Sequence, residues 1–369
     1  MKILITGANG FIGRNLVAEL RNRKFNDLYL YDMDSTLEDL DRYCKDADFV
    51  YHLAGVNRPE KAEDFMLGNF GFTSKLLEML QKHDNHASVM LSSSIQAALN
   101  NPYGESKKAG EDLLFDYGNT HNATIYAFRF PNVFGKWSRP NYNSAVATFC
   151  HNIARDLPIT INNRDTELAL VYIDDVVETL IRLLNKPGIA VDGFHSVSPV
   201  HNVTLGFIVD SLHAFKASRE NKEIVDMSNP FVKALYSTYL SFLPEDRFSY
   251  PVKMNVDARG SFTEVLKTQN FGQVSINVAK PGIVKGNHWH HSKNEKFLVV
   301  SGKAIIRFRN INDDKIIEYK VTSETLEVVD IPCGYTHNIE NIGETDLVTL
   351  MWANEQLDPN KPDTFFLEV

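Results

Sequence analysis

A tyrosine and a lysine stand four residues apart in the segment NPYGESKK. On a helix, Tyr103 and Lys107 would lie one above the other on a single face. The lysine ammonium would favour the phenolate and lower the tyrosine pKa from about 10, so that the phenol could give a proton to a carbonyl oxygen while hydride reaches the carbon. An upstream strand ends in Ser92, Ser93 and Ser94, and one of these hydroxyls could bond to the same carbonyl. The alternative is an ordinary solvated helix face.

Three histidines and a glutamate crowd into the segment GNHWHHSKNE. On a strand His288 and His290 point to the same side, whereas His291 breaks the alternation and is expected to face away. Glu295 begins a plausible neighbouring strand, and His337 follows a Pro-Gly turn further downstream. These ligands suit one divalent ion of zinc, iron, manganese or nickel, with zinc as the first candidate, and they leave positions open for water or substrate. The alternatives are ordinary histidines without a metal, and a metal with a purely structural role.

The segment ITGANGFIG places three glycines after a short apolar strand and at the start of a helix. Gly7, Gly10 and Gly13 permit a tight turn and a close backbone approach to a pyrophosphate. The first helical residues, Phe11 and Ile12, lie where free N–H groups would meet the phosphates. Because glycine turns are common, and the spacing differs from G-x-G-x-x-G, the loop alone indicates a dinucleotide only weakly.

The second strand ends at Asp32, about 20 residues beyond the glycine loop, where a carboxylate can accept from the adenosine ribose hydroxyls. Such a carboxylate would repel a 2′-phosphate, so Asp32 favours NADH over NADPH as the reductant. The alternative is an aspartate that caps a turn or helix, a role for which Asp34 and Ser35 compete.

The elements that must position these residues follow two rhythms. Apolar runs such as KILIT, DLYLYD and ATIYAFRF alternate with helical patterns, which predicts βαβ units and a parallel sheet. From about residue 252, short β-branched runs are split by Gly, Asn, Asp and Pro, which is typical of an all-β sandwich or barrel. We therefore predict an α/β chain with a Rossmann-type, doubly wound, NAD(P)-binding reductase domain over 1–243 and an all-β metal-binding domain over 244–369.

Composition and charge exclude several classes of protein. The 369 residues are 43% hydrophobic and 23% charged, as in ordinary globular domains, and the formal net charge of −9 argues against nucleic acid as a partner. The three cysteines, Cys44, Cys150 and Cys333, are odd in number and far apart, which favours a reducing compartment. No apolar run approaches about 18 residues, so we expect no membrane span and a cytoplasmic enzyme.

The motifs TGANGFIG, VYHLAG, LSSS, YGESK, RFPNVFG and VYIDDV occur in the order typical of one family. The first ~240 residues resemble the extended short-chain dehydrogenase/reductase family of nucleotide-sugar enzymes. The resemblance implies that Ser94, Tyr103 and Lys107 are the catalytic residues. The gap from serine to tyrosine is shorter than usual in the family, so Ser92 and Ser93 remain alternatives to Ser94.

The same resemblance implies further contacts in the first domain. Besides the three loop glycines, Leu53, Ala54 and Gly55 would line the cofactor. The stretches PNVFG and PNYN would border the substrate, through Asn132 and Asn143 respectively. The implied ligands are therefore a nicotinamide dinucleotide and a nucleotide sugar.

Two spaced patterns in the second domain resemble the two halves of the cupin motif. They are G-x5-H-x-H-x4-E-x6-G over 282–302 and P-x-G-x-x-H-x-x-x-N over 332–341. The resemblance implies a jelly-roll fold that holds a metal through the three histidines and the glutamate. The preceding NVDARGSFTEVLKT resembles the start of cupin-fold epimerases that act on 4-keto-6-deoxy sugar nucleotides. Arg259 and Lys285 could accordingly meet a diphosphate, or they could be surface charges.

One ketone could serve both domains. A 4-keto sugar nucleotide offers a hydride acceptor at C4 and an exchangeable proton at C3, and epimerisation must come first because reduction removes the ketone that acidifies C3. The whole chain resembles the bifunctional reductases of capsule and O-antigen synthesis, which form UDP-2-acetamido-2,6-dideoxy-L-talose. That resemblance implies NADPH, whereas Asp32 favours NADH, so the sequence leaves the reductant as NADPH or NADH.

Two other functions remain open, together with the assembly of the chain. The protein could be a monofunctional 4-ketosugar-nucleotide reductase whose cupin serves stability or assembly. It could also be a cofactor-sensing regulator, although such proteins commonly lose catalytic groups and the Tyr103/Lys107 pair is intact. The predicted partner is a UDP-sugar substrate, and we expect a homodimer because cupin domains often pair through their sheets.

Overall fold

A computed structural model describes residues 1–185, 190, 193–360 and 362–369 of the chain. It divides into two compact units, one of Met1–Leu212 with Asn229–Pro244 and one of His213–Ser228 with Glu245–Val369. The sequence predicts a single domain boundary between residues 243 and 244, whereas the structure assigns residues 213–228 to the second unit. The reason is local, because the Ile224 N–H donates to the Lys267 carbonyl at 2.8 Å. Among the described residues, no helix is long and apolar enough to cross a bilayer.

The first unit contains a parallel sheet and a small mixed sheet. Its strands are β1 Ile3–Thr6, β2 Leu28–Tyr31, β3 Phe49–His52, β4 Ser88–Ser94, β5 Ile125–Phe130, β6 Asn132–Phe134, β7 Glu167–Tyr172, β8 Phe194–His195 and β9 His201–Thr204. The main sheet has the order β2-β1-β3-β4-β5-β8, with every pair parallel, and the small sheet has the order β6-β7-β9. The strand order reverses beside β1, and such a reversal opens a crevice at the carboxyl ends of the strands.

Helices connect the parallel strands and carry apolar residues at helical spacing. The helices are α1 Phe11–Asn22, α2 Leu37–Cys44, α3 Glu63–Met66, α4 Phe72–Lys82, α5 Pro102–His121, α6 Ala145–Ala154, α7 Ile173–Arg182, α8 Leu205–Asn221 and α9 Pro230–Ser241. A π-helical turn, Leu67–Gly71, joins α3 to α4, and 3-10 turns cover Ile95–Ala98 and Glu245–Arg247. In α7, for example, the buried residues Ile173, Val176 and Leu180 form one stripe, and the helix packs against the core through it.

Both faces of the parallel sheet are covered. Ile3 and Ile5 of β1 lie in one buried cluster, whereas Leu4 between them lies in another cluster with Val50 and Val89. Successive side chains of a strand point to opposite faces, so an apolar run such as ILIT requires helices on both sides. The predicted Rossmann-type α/β fold is confirmed.

The second unit contains eleven strands among its described residues. They are β10 Asn255–Asp257, β11 Gly260–Thr268, β12 Gly272–Ala279, β13 Val284–Trp289, β14 Glu295–Ser301, β15 Lys303–Asn310, β16 Ile316–Thr322, β17 Val328–Ile331, β18 Tyr335–Asn341, β19 Leu347–Ala353 and β20 Phe365–Phe366. They form two antiparallel sheets, β10-β11-β12-β19-β14-β17 and β16-β15-β18-β13-β20.

One apolar core joins these two antiparallel sheets. Phe297 and Val299 of the six-stranded sheet lie in the same buried cluster as Ile306, Phe308 and Ile339 of the five-stranded sheet. Two sheets that share one core in this way form a sandwich. The predicted all-β character of the second half is confirmed.

Candidate functional sites

The predicted cofactor residues lie at the carboxyl ends of three neighbouring parallel strands. Gly7 follows β1, Leu53 and Ala54 follow β3, and Ser94 ends β4. The Leu53 N–H donates to the Thr6 carbonyl at 3.1 Å, which holds the two strand ends together. These ends border the crevice at which open α/β sheets bind ligands.

The glycine loop is packed too closely for side chains. Gly7 has a φ of +70°, and a Cβ atom on Gly13 would lie 2.2 Å from the Gly7 carbonyl oxygen. Gly10 precedes α1 without a side-chain cap, and no acidic residue lies in the first turn. The N–H groups at Phe11 and Ile12 therefore belong to a helix start that is suited to an anion.

Asp32 braces the glycine loop from the end of β2. One of its carboxylate oxygens accepts from the Asn9 N–H at 2.7 Å, and the other accepts from the Met33 N–H at 2.8 Å. The bond to Met33 matches the turn role that the sequence left as an alternative, and the bond to Asn9 connects the end of β2 to the glycine loop. An ionised carboxylate can accept about four hydrogen bonds, so recognition of the ribose by Asp32 stays a prediction.

The loop after β3 approaches helix α5 at Gly55. A Cβ atom on Gly55 would lie 2.8 Å from Asn69 Oδ1 and 2.9 Å from Lys107 Nζ. A Cβ atom on Gly7 would likewise lie 2.7 Å from the Ala54 nitrogen. Glycine at these two positions therefore lets the loops after β1 and β3 approach each other, and lets the second of them approach Lys107.

The catalytic candidates meet where α5 begins beside the end of β4. Tyr103 is in the first turn of α5, and Lys107 is one turn later with its Nζ 5.9 Å from the tyrosine ring centroid. Lys107 donates to the Ser92 carbonyl at 3.0 Å, and the Ser94 hydroxyl lies near enough to the Tyr103 phenol to lower its pKa. The structure thus brings Ser94, Tyr103 and Lys107 together.

Ser93 points to the other side of β4 and has a different partner. Its hydroxyl donates to the carboxylate of Glu111, which is 1% exposed. Arg129 donates to the same carboxylate through two nitrogens, at 2.9 and 2.6 Å. Ser93 is therefore held in a buried polar cluster, whereas Ser94 is the serine whose hydroxyl acts on the pKa of Tyr103.

Burial shifts the pKa values of both Tyr103 and Lys107. Burial raises the pKa of Tyr103, although the nearby Ser94 hydroxyl opposes the shift. Burial lowers the pKa of Lys107 to about 8, and the neighbouring Glu111 carboxylate opposes that shift. The sequence predicts a lowered pKa for Tyr103, and the structure differs because Lys107 donates to a backbone carbonyl and the phenol is desolvated.

Sequence analysis did not identify Asn69, a buried residue that joins the loop after β3 to α5. Its amide oxygen accepts from the Val56 N–H, and its amide nitrogen donates to the Val56 carbonyl and to the Ser106 hydroxyl, each at 2.9 Å. It lies in the π-helical turn, a distortion that is frequent at functional sites. An asparagine within a helical pattern gives no chemical signal, so only the contacts reveal it.

The two substrate candidates are exposed. Asn132 lies in β6, and its amide donates to the Ala169 carbonyl at 3.3 Å. Asn143 lies just before α6, next to Tyr142, whose carbonyl accepts from Arg58. The roles of Asn132 and Asn143 toward a substrate stay predictions.

The four predicted metal ligands converge in the second unit. One ligand atom each from His288, His290, Glu295 and His337 lies within 4.8 Å of all the others. A glutamate oxygen is 3.4 Å from the Nε2 atoms of both His290 and His337. The glutamate begins β14, and the strand pairing of β13 with β18 places His288 opposite His337.

A backbone irregularity in β13 produces this convergence. The register with β18 shifts between Gly286 and His288, and the intervening Asn287 has a φ of +60°. A β-bulge of this kind redirects the side chains that follow it. His291 lies outside the cluster, where its ring packs on Trp289 and is exposed to solvent.

The donor set fits a divalent metal ion. His290 Nε2, Glu295 Oε2 and both ring nitrogens of His337 are buried without a hydrogen-bond partner, which is costly for polar atoms unless an ion is coordinated. Burial lowers the pKa of His288 to about 4. Burial alone would raise the pKa of Glu295, but the adjacent His290 and His337 rings outweigh it and hold that pKa well below its ordinary value. Neutral imidazole and ionised carboxylate are the forms that bind metal.

A cavity of about 700 Å³ opens beside these ligands, and its wall includes His288, Glu295 and His337. Lys285 also lines it and donates to Asn277 Oδ1 at 2.8 Å. The exposed Arg259 lines it too, paired with Asp257 at 2.6 Å. Cations at the wall of a cavity suit an anionic ligand such as a diphosphate.

Comparison with known proteins defines the class of the chain. Residues 3–193 match the model of the NAD dependent epimerase/dehydratase family, and residues 255–365 match that of the polysaccharide biosynthesis C-terminal domain. The chain belongs to the NAD dependent epimerase/dehydratase family and carries that second domain.

Full-length relatives are also known. The Pseudomonas aeruginosa protein named UDP-2-acetamido-2,6-beta-L-arabino-hexul-4-ose reductase is 47% identical over an alignment of 370 residues that covers 100% of this chain and 99% of that protein. A crystal structure of the capsular polysaccharide assembling protein CapF from Staphylococcus aureus is 54% identical, covers 100% of both chains and has a TM-score of 0.95. The predicted resemblance to capsule-synthesis proteins is confirmed.

A more distant structure supports the fold of the first unit. The UDP-glucuronic acid 4-epimerase of Bacillus cereus, in complex with NAD, covers 66% of this chain and 96% of its own, with a TM-score of 0.55 and 20% identity. At that identity the likeness supports the fold alone.

Proposed function

We propose that the chain reduces a UDP-linked 4-keto sugar with a nicotinamide dinucleotide in the synthesis of a capsular polysaccharide or O-antigen. The observation that carries the proposal is the meeting of Ser94, Tyr103 and Lys107 beside the glycine loop. The full-length likeness to a protein named as a hexul-4-ose reductase supports the substrate class.

In this function the Tyr103 hydroxyl gives its proton to the C4 oxygen, and Ser94 hydrogen-bonds to the same oxygen. The raised pKa of Tyr103 keeps the phenol protonated and ready to donate at neutral pH. Lys107, held by the Ser92 carbonyl, supplies positive charge beside the phenol as the proton leaves. The bound dihydronicotinamide supplies the hydride to C4.

The cofactor would be held by the residues at the strand ends. Gly7, Gly10 and Gly13 admit the pyrophosphate to the start of α1, with Leu53, Ala54 and Gly55 along its path. Asp32 would favour NADH, whereas the resemblance of the whole chain to the bifunctional capsule and O-antigen reductases implies NADPH, so both reductants are proposed. Steady-state kinetics with each cofactor on one substrate would decide between them.

For the second unit we propose epimerisation at C3 of the same ketone. His288, His290, Glu295 and His337 would hold one divalent ion, with zinc as the first candidate. Such an ion supplies Lewis-acid polarisation of a carbonyl. The adjacent cavity would receive the UDP-sugar, and the cations Arg259 and Lys285 would lie near its diphosphate.

The chemistry of the ketone fixes the order of the two steps. The C3 hydrogen is acidic only while C4 is a carbonyl, so the epimerisation must precede the reduction. The product would be UDP-2-acetamido-2,6-dideoxy-L-talose, formed from a UDP-2-acetamido-2,6-dideoxy-4-ketohexose.

The test is to incubate that ketone with the protein and a reduced cofactor, to follow cofactor absorbance, and to determine the product stereochemistry by NMR. Unchanged absorbance and unchanged substrate would reject the reductase. Incubation in D2O without reductant should give deuterium at C3, and His290→Ala should abolish that exchange. His291→Ala is the matched control, because His291 lies outside the cluster.

The second candidate function is a monofunctional reductase with a structural metal centre. The buried His290, Glu295 and His337 atoms without hydrogen-bond partners are compatible with such a centre as well. Deuterium exchange at C3 that persists in His290→Ala would favour this candidate. A cofactor-sensing regulator is disfavoured by the assembled Ser94, Tyr103 and Lys107.

A further inference from the structure

The C-terminal tail, residues 362–369, lies along the strand that carries two of the predicted metal ligands. Its strand β20 pairs with β13, in the register His288 to Phe366 and Trp289 to Phe365. The Leu367 N–H donates to the Asn287 carbonyl at 3.0 Å. The last residues of the chain are therefore integrated into the second unit at its metal cluster.

Asp363 is the point of this tail that touches the cluster. Its backbone carbonyl accepts from His290 Nδ1 at 2.6 Å. Its carboxylate accepts from three successive backbone N–H groups, those of His291 at 3.0 Å, Ser292 at 2.9 Å and Lys293 at 2.9 Å. Asp363 thus holds the His290 ring through its backbone carbonyl, and it holds the loop 291–293 through its carboxylate.

The hydrogen bond to the carbonyl determines the tautomer of His290. Because a carbonyl oxygen only accepts, Nδ1 must carry the proton, and Nε2 keeps its lone pair. That Nε2 atom is buried without a partner and points to Glu295 at 3.4 Å. Outer partners of this type orient metal-binding imidazoles and increase their basicity.

The backbone of Asp363 is shaped for this double role. Its φ of +34° is positive, and Asp and Asn are the non-glycine residues that tolerate such values best. The flanking residues hold a second group at the cavity, because Lys293 Nζ donates to the Pro362 carbonyl at 3.2 Å and to Thr364 Oγ1 at 3.0 Å. The segment 362–364 therefore fixes the positions of the His290 ring and of the buried Lys293 ammonium at the cavity wall.

We propose that Asp363 is a positioning residue of the metal centre and that the C-terminal tail is required for tight metal binding. The proposal rests on the metal centre proposed above. Without the carboxylate the loop from His291 to Lys293 loses three backbone bonds, and the carbonyl of residue 363 is no longer fixed against His290. Metal binding must then supply the free energy that orients His290 Nε2 toward the metal, and the metal affinity falls.

The test compares the metal-stripped full-length chain with its Asp363→Ala and Asp363→Asn variants. Competition with a chromophoric chelator gives the Zn²⁺ affinity, and Co²⁺ absorption spectra report the coordination. We expect Asp363→Ala to weaken Zn²⁺ binding by about 10- to 100-fold and to alter the Co²⁺ spectrum. We expect a smaller loss for Asp363→Asn, because its amide oxygen still accepts a hydrogen bond and asparagine tolerates the backbone conformation.

Asp358→Ala is the matched control, since the Asp358 carboxylate bonds to the Asn360 N–H within its own turn. Thermal unfolding of the metal-free proteins separates positioning from simple stability, because a purely structural role would lower the apoprotein Tm and leave the affinity unchanged. Zn²⁺ affinities of both Asp363 variants within about twofold of the wild type would overturn the proposal. Failure of the wild-type chain to bind Zn²⁺ or Co²⁺ would instead reject the metal centre itself.

Discussion

Tyr103 and Lys107 show how the surroundings of a residue decide its chemistry. Both side chains are desolvated at the start of α5, which raises the pKa of the phenol and lowers the pKa of the ammonium to about 8. The phenol of Tyr103 therefore keeps its proton at neutral pH, whereas the ammonium of Lys107 can lose its charge near pH 8. Their roles can therefore be separated by substitution and by pH.

Replacing Tyr103 by phenylalanine should remove the proton donor and leave the packing almost intact. We expect kcat for ketone reduction to fall by about 10²- to 10⁴-fold, the usual contribution of a positioned acid. The Kd of the reduced cofactor, measured by fluorescence titration, should change little. Tyr43→Phe, on a tyrosine stacked against Tyr29, is the control. A Tyr103→Phe enzyme with near-normal kcat would exclude the phenol as the donor.

The charge of Lys107 should appear in the pH profile of the reductase. The folded pKa of about 8 lies below the ordinary 10.5, so the ammonium is present below pH 8 and is lost as the pH rises through 8. We expect kcat/KM to decline above about pH 8 for the wild type. In Lys107→Arg the guanidinium stays charged, so this decline should disappear even if the maximum rate is lower. The same alkaline decline in Lys107→Arg would show that another group titrates.

At the scale of elements, each unit has an irregular segment that directs side chains toward its own candidate site. The bulge in β13 sets His288 opposite His337, and the π-helical turn presents Asn69 to the loop after β3. Regular strands and helices position these segments, and the irregular backbone within them sets the direction of side chains such as His288 and Asn69. Substitutions in these segments should affect one site at a time.

Gly286 is the residue of the β13 bulge that can be tested most directly. Its φ is +106°, and a Cβ atom there would lie 2.8 Å from the His337 carbonyl oxygen. Gly286→Ala should displace β13 from β18, weaken Zn²⁺ binding by at least about 10-fold and leave the cofactor Kd unchanged. Gly343→Ala, whose Cβ atom would approach Asn341 Oδ1 only to 3.4 Å, is the control. Unchanged Zn²⁺ affinity in Gly286→Ala would contradict a role of the bulge.

At the scale of the whole molecule, two units with separate cores carry the two candidate sites. The N-terminal core surrounds a parallel sheet, and the C-terminal core lies between two antiparallel sheets. Each site is built from residues of its own unit, so loss of one activity need not remove the other. The expected homodimer stays a prediction, which light scattering would test.

Two variants that each lack one site should therefore complement each other in solution. Tyr103→Phe should still exchange the C3 hydrogen, whereas His290→Ala should reduce only a ketone with unchanged C3. An equimolar mixture should form the C3-inverted product, detected by NMR, because the ketone can leave one protein and enter the other. Absence of that product from the mixture, with both partial activities intact, would argue against a freely exchanging intermediate.

Local pattern was sufficient to predict much of the fold and several of the side chains that the structure brings together. The run ILIT predicts a strand because burial on both faces requires an apolar side chain at each position, and the structure has β1 there. The H-x-H spacing predicts two imidazoles on one side, and His288 and His290 do lie in one cluster. The assignment of roles to the site residues stays a prediction.

The sequence by itself determined the alternation of elements, the glycine loop, the Tyr103/Lys107 pair and the histidine pattern, because each depends on residues that are close in the chain. The tertiary structure alone decided which serine faces the phenol, that burial raises the pKa of Tyr103, and that Asp363 holds His290 across 73 residues. Hydrogen bonding and desolvation depend on distances in space, and a linear spacing does not specify them between remote segments.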